Sequence, residues 1–157
     1  MLENVSTNPK FNFSLVLPVP IDMVYAAWTD PAQLAVWWGP HGFTNPVCQI
    51  EDRPGGKILI HMQDSFGTIH PMDGTFHEVE ERKRLIFTSQ ALNQAGRPIL
   101  QVLNTVIFEE VNEGTRLTVL ADVERVSLSA KTYLDGMEDG WSESLDRLKN
   151  FLIRKMS

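Results

Sequence analysis

Cysteine is nearly missing from this chain. Cys48 stands alone, which excludes an internal disulfide framework and a zinc site built on several thiolates. Positive charge is scarce as well: 14 Lys and Arg face 20 Asp and Glu, a formal net charge of −6. Nucleic acid needs a basic surface to neutralise its phosphates, so no nucleic-acid partner is expected. The same sign argues against an anionic membrane surface. Long apolar runs are also missing. The longest, Leu15–Ile21, is interrupted by Pro18 and Pro20 and is far too short to span a bilayer. The opening MLENVSTNPKFNF is polar where a signal peptide carries its apolar core, so the expected location is the cytoplasm. No Gly-x-Ser-x-Gly element and no dinucleotide fingerprint occur. Gly55-Gly56 lacks the following helix and lysine of a phosphate loop and reads as a tight turn.

What is present fits one domain, residues 1–157, with residues 1–9 as a loose leader. A chain of 157 residues, 43% hydrophobic and 22% charged, is long enough to bury one real core. Phe11, Phe13, Leu15 and Leu17 alternate with Asn12, Ser14 and Val16, the period of a half-buried strand. Pro20 suits a helix start, and Met23, Val24, Ala27 and Trp28 follow at helical spacing. Asp30-Pro31 breaks that helix. Leu34, Trp37 and Trp38 then form a second short apolar face, stopped by Gly39-Pro40. Six strands are predicted next: Pro46–Glu51, Lys57–Gln63, Ile69–Val79, Arg84–Ser89, Ile99–Glu109 and Thr115–Val123. The breaks between them carry turn chemistry, and Glu80–Arg84 reads as a solvated hairpin tip. Finally Leu134, Met137, Trp141, Leu145, Leu148 and Leu152 recur at three and four, as in one long amphipathic helix. Gly136 and Gly140 weaken it, which fits either a close approach to its backbone or a frayed first turn.

A one-sided sheet must cover its apolar face, and only the terminal helix is long enough. The predicted class is therefore α+β: a curved antiparallel sheet wrapped around a long C-terminal helix, with two short helices after the first strand. Such a shape tends to leave a cavity between sheet and helix.

The ordered motifs Trp28-Thr29-Asp30-Pro31, Trp37-Trp38-Gly39-Pro40, Gly55-Gly56, Gly136-Met137 and Gly140-Trp141 carry a resemblance. Together they resemble the C-terminal domain of the activator of the 90-kilodalton heat-shock-protein ATPase. That family belongs to the START-like, or SRPBCC, superfamily, with polyketide cyclases and the birch-pollen allergen. The resemblance covers roughly residues 12–153. It implies a helix-grip fold with a deep apolar cavity. It does not imply one activity, since similar domains bind lipids or polyketides, cyclise aromatic precursors or contact a chaperone.

Strand alternation selects the cavity lining. The Asp64–Gly67 hairpin admits two registers, and a slip of one residue turns every side chain over. Glycine suits the left-handed position of a three-residue loop with a bulge, which favours Gly67 there and sets Met62 against His70 and Ile60 against Met72. The inner face then holds Ile58, Ile60, Met62, His70, Met72 and Phe76, with Gly74 beside Ile58. Leu85, Phe87, Val102, Asn104, Val106, Phe108, Leu117 and Val119 continue it on later strands. The predicted ligand-binding residues are these first six with Phe87, Asn104, Trp38, Met137 and Trp141. His70 and Asn104 are the polar groups of an otherwise apolar pocket.

His70 fits a polar anchor or general base, although an ordinary partly buried histidine with a backbone partner is the commoner case. No metal or other cofactor is expected: none of the four histidines, at 41, 61, 70 and 77, pairs at zinc-protease spacing. The tryptophans and methionines suit an adaptable aromatic pocket or simply a filled core. Cys48 reads as a small buried residue. Leu59, Leu103, Ile107 and Leu120 point outward in this register, as a homodimer or partner face or as residues covered by the short helices.

Three functions follow as alternatives. The leading one is binding of a small hydrophobic or aromatic ligand, with no assigned chemistry. The second is a cyclase- or hydrolase-type enzyme acting on a polyketide-like substrate through His70, with Glu78 or Asn104. The third is a protein-interaction module resembling the chaperone ATPase activator.

Overall fold

A computed structural model describes Glu3–Asn4 and residues 9–157. The strands are β1 (Glu3–Asn4), β2 (Lys10–Leu17), β3 (Thr44–Ile50), β4 (Lys57–Gln63), β5 (Ile69–Glu80), β6 (Arg84–Leu92), β7 (Pro98–Val111) and β8 (Gly114–Val126). The helices are α1 (Ile21–Thr29), α2 (Pro31–Trp37), α3 (Lys131–Asp135) and α4 (Met137–Met156). Strands β3 to β8 form an antiparallel meander in chain order, and β1 and β2 both pair with β8. The result is the α+β helix-grip architecture that the sequence predicts.

Local chemistry sets the element ends. Asp30 caps α2: its carboxylate accepts from the Ala32 N–H at 3.0 Å, and Pro31 occupies the first turn. The β4–β5 hairpin takes the glycine-bulge register, with Gly67 at φ +85° and Met62 opposite His70. Gly74 is required for a different reason. A Cβ there would sit 2.3 Å from the Thr88 carbonyl oxygen, so only glycine lets β5 and β6 approach.

Three details depart from the sequence-based reading. The leader is not wholly loose, because Glu3 and Asn4 pair with Val126 and Arg125; the remaining leader positions 1, 2 and 5–8 lie outside the described residues. The C-terminal helix is not continuous. It breaks at Gly136, which leaves Leu134 on α3 and starts α4 at Met137. β3 begins at Thr44, before Pro46, and its register shifts between Thr44 and Val47, since proline brings no N–H to the ladder.

α1, α2 and α4 pack on one face of the sheet. Leu145, Leu148 and Leu152 of α4 join Trp28, Leu34, Trp37, Ile60, Leu85, Val106 and Leu117 in the main core. Leu148 and Leu152 are fully buried, each stabilising the fold by about 2–3 kcal/mol through apolar area removed from water. Trp37 is also fully buried and donates its indole N–H to the Ala27 carbonyl at 2.9 Å, tying α2 to α1. Leu59, Leu103, Ile107 and Leu120 fall on the opposite, convex face and are half-buried. The short helices do not cover them.

Candidate functional site

Close packing stops at one end of the grip. Between β4–β7 and the start of α4 lies a cavity of about 210 Å³. An apolar cavity of about 150 Å³ already holds benzene, so this one suits one or two fused rings. Its floor comes from the sheet, with Met72, Ala91, Leu100, Val102 and Asn104. Tyr133 of α3 and Met137, Gly140 and Trp141 of α4 close it from above, and Trp38-Gly39-Pro40 forms an end wall.

Seven of the residues selected from sequence border this space: Trp38, Met62, His70, Met72, Asn104, Met137 and Trp141. Ile58, Ile60, Phe76 and Phe87 do not. They surround a separate void of about 20 Å³ beside Trp28 and Leu34, too small for a ligand. Alternation chose the right face, but α1 and α2 fill that half of it.

Arg147 builds the end wall. Its guanidinium donates to the carbonyls of Val36 at 2.8 Å, Trp38 at 3.0 Å, Gly39 at 2.8 Å and Pro40 at 3.0 Å. Five donors in a planar fork suit this cluster, which satisfies the open carbonyls after α2. Burial lowers the Arg147 pKa, yet an arginine remains charged. Nearby, Glu143 accepts the His41 N–H at 3.0 Å, and Asp146 lies 3.2 Å from the His41 ring. Trp38 meets Trp141 edge-on, ring centroids 5.6 Å apart, and Trp141 stacks on Trp28 at 6.3 Å. The wall is thus an aromatic cluster held by one cation.

At the mouth, His70 is committed on both ring nitrogens. Nε2 lies 2.9 Å from Asp64 Oδ2, and Nδ1 lies 2.7 Å from the Tyr133 hydroxyl. The other carboxylate oxygen, Oδ1, accepts the N–H groups of Phe66 at 2.9 Å and Thr68 at 3.0 Å. His70 and these amides hold the Asp64 carboxyl below its ordinary range. Burial, then the Asp64 charge, pushes the Tyr133 hydroxyl up, so it keeps its proton at neutral pH. The chain Asp64–His70–Tyr133 can orient one hydroxyl and pass a proton between it and the imidazole.

Asn104 is 1% exposed. Its amide nitrogen approaches Ser89 Oγ at 2.9 Å and the carbonyls of Phe87 at 3.3 Å and Val102 at 3.4 Å, which leaves Oδ1 without a partner among the described residues. Glu78 is far along β5 and receives a hydrogen bond from Arg84 at 2.9 Å, so it does not join His70. Cys48 is half-buried on β3, and desolvation raises its thiol to about 11, so it is protonated at neutral pH. Among the described residues no three His, Cys, Asp or Glu side chains converge as a metal site would require. Sequence reasoning missed Asp64, Tyr133 and Arg147. Tyr133 was findable, since it falls four positions before Met137 in the apolar pattern that the sequence reads as one helix.

The family model for Activator of Hsp90 ATPase homolog 1-like protein matches residues 18–152. The chain belongs to this family. Solved structures agree on its START-like fold. A protein from Nitrosomonas europaea is 28% identical, with a TM-score of 0.78 over 94% of this chain and 96% of its own. One from Arthrobacter aurescens is 27% identical, with a TM-score of 0.82 over 92% and 86%. A protein from Rhizobium leguminosarum, 24% identical with a TM-score of 0.80 over 98% and 99%, shares the fold. No curated protein is similar enough to count as a relative. No helix of this family member, among the described residues, is long and apolar enough to cross a membrane.

Proposed function

We propose that this member of the family binds a small apolar or aromatic molecule in the space between its sheet and α4. The observation that carries the reading is a pocket of about 210 Å³ between sheet and helix, with a mouth to solvent through which a ligand can enter. Ligand sites are concave, mostly apolar and carry a few placed polar groups, as this one does. The lining supports the same class of ligand: Met62, Met72 and Met137 adapt to shape, and Trp38 and Trp141 offer ring surfaces.

Native mass spectrometry of the purified protein, with denaturing extraction of anything bound, tests the reading together with a titration of tryptophan fluorescence by naphthalene. The expected result is saturable quenching with one site per chain. Ala91→Leu, which adds volume at the cavity floor, removes it. A protein that carries no molecule and shows no saturable quenching overturns the reading.

A further inference from the structure

We infer that the ligand of this cavity carries a hydrogen-bond donor, a hydroxyl or N–H on an apolar frame, and that Tyr133 receives it. The inference rests on the cavity reading above and sharpens it to a chemical class.

The reasoning follows the protons from Asp64. Its carboxylate is ionised and can only accept, so His70 Nε2, 2.9 Å away, carries a hydrogen. At a pH where the imidazole is neutral, Nδ1 is then bare. The Tyr133 hydroxyl, 2.7 Å from Nδ1, must donate its single proton there. What Tyr133 has left for the cavity is lone pairs. Its oxygen accepts and does not donate.

One further cavity group has the same polarity. The Ser144 hydroxyl donates to the Gly140 carbonyl at 2.8 Å and is likewise left with lone pairs. The Asn104 amide is oriented by the Phe87 and Val102 carbonyls, which can only accept, so its free end is the oxygen, but that atom is buried away from the open space and offers a ligand nothing. A ketone or ether placed against Tyr133 or Ser144 would meet oxygen with oxygen; Ser89, whose Oγ accepts from Asn104, is the lining hydroxyl that keeps its proton. A hydroxyl or N–H would be satisfied, and a site that leaves a buried polar group unpaired discriminates strongly.

Asp64 thus acts as a positioning residue, setting ligand polarity through His70. Its two oxygens make the consequence unusually definite. Oδ1 accepts two backbone N–H groups, which an amide nitrogen cannot do. In Asp64→Asn the amide oxygen keeps that place, and the –NH2 faces His70. Nε2 must then be bare, Nδ1 carries the hydrogen, and Tyr133 accepts from His70. Its own proton is released to the cavity, and the preferred ligand polarity reverses.

The experiment measures dissociation constants of naphthalene, 2-naphthol and 2-acetylnaphthalene for the full chain and two variants. In the native protein 2-naphthol is expected to bind about tenfold more tightly than 2-acetylnaphthalene, the range of one neutral hydrogen bond. Tyr133→Phe removes that preference, and naphthalene measured in the same variant corrects for any change in the cavity itself. Asp64→Asn inverts it. A merely structural role for Asp64 would weaken all three probes together. Naphthalene has no polar group, so it tests the cavity alone: if it fails to bind, the cavity reading falls and this inference with it. If naphthalene binds but 2-naphthol gains nothing over 2-acetylnaphthalene, or Asp64→Asn leaves the order unchanged, the inference is overturned while the cavity stands.

Discussion

The two ends of α4 meet the same sheet in opposite ways. From Leu145 onward the helix presents leucines, three of them buried, to a face already filled by Trp28, Trp37, Phe76 and Phe87. The void in that half, about 20 Å³, is lined by α1, α2 and the sheet and touches no residue of α4. Before Leu145 it presents Gly136, Met137, Gly140 and Trp141, and the void is about 210 Å³. Curvature alone does not open a cavity in such a grip. The opening needs small or flexible residues on the helix, where the packed end has branched ones. Arg147 sits at the boundary and fastens the wall between the two.

The comparison can be broken most severely at the packed end. Leu148→Ala, at a fully buried site, should cost about 2–5 kcal/mol in urea unfolding. Met137→Ala, at a half-buried position beside open space, should cost less than about 1 kcal/mol. Equal losses would mean that the open end is packed in solution. The boundary comes next. Arg147→Met keeps the apolar stem but strips the Val36 and Gly39 carbonyls of their side-chain partner, while Asn45 still reaches Trp38 and the Phe43 N–H still reaches Pro40, at a cost of about 1–3 kcal/mol. It should also shift the tryptophan emission of the Trp38–Trp141 pair. An unchanged spectrum would show that the wall stands without the cation.

Gly140→Ala should run the other way. Its Cβ would meet Pro40 at 3.7 Å, an ordinary contact, and alanine stabilises a helix interior by up to about 1 kcal/mol over glycine. The added methyl narrows the cavity, so naphthalene should bind more weakly as the melting temperature rises. A gain in both would remove the link between Gly140 and the opening. The smallest effect is with pH. Asp64 has a depressed pKa in the folded protein, so its contribution is complete above the ordinary Asp value of about 3.9 and is lost as pH falls through the lower folded value. Protection of the Phe66 and Thr68 amides, taken relative to their intrinsic exchange at each pH, should fall below about pH 4, and Asp64→Asn should abolish that acid step. Protection that is flat with pH in the native protein would show that Asp64 does not hold the hairpin.

The fold was legible because each strand alternates cleanly and each break has its own turn chemistry. Gly67, together with the apolar face it aligns, selected the hairpin register that sets Met62 against His70. The site was legible as a face but not as a place on that face. Ile58 and Phe76 have the same alternation as Met62 and Met72, and only the position of α1 and α2 separates a filled half from an open one. The break at Gly136 was half-visible in its low helix propensity. Arg147 was not visible at all. A lone arginine in a charged helix reads as solvent-facing, and its carbonyl partners belong to a loop elsewhere in the sequence.

That separation sets the order in which the molecule can be completed. Arg147 reaches carbonyls 107 to 111 residues earlier in the chain. Its neighbours in sequence arrive only after all eight strands, and β2 itself waits for β8 to find a partner. A nascent chain stopped before residue 147 would hold every described strand yet leave the end of α2 with Asn45 but not Arg147, and the main core without Leu148 and Leu152. Topologies dominated by such distant contacts fold in roughly milliseconds to seconds, well behind helical bundles of similar stability.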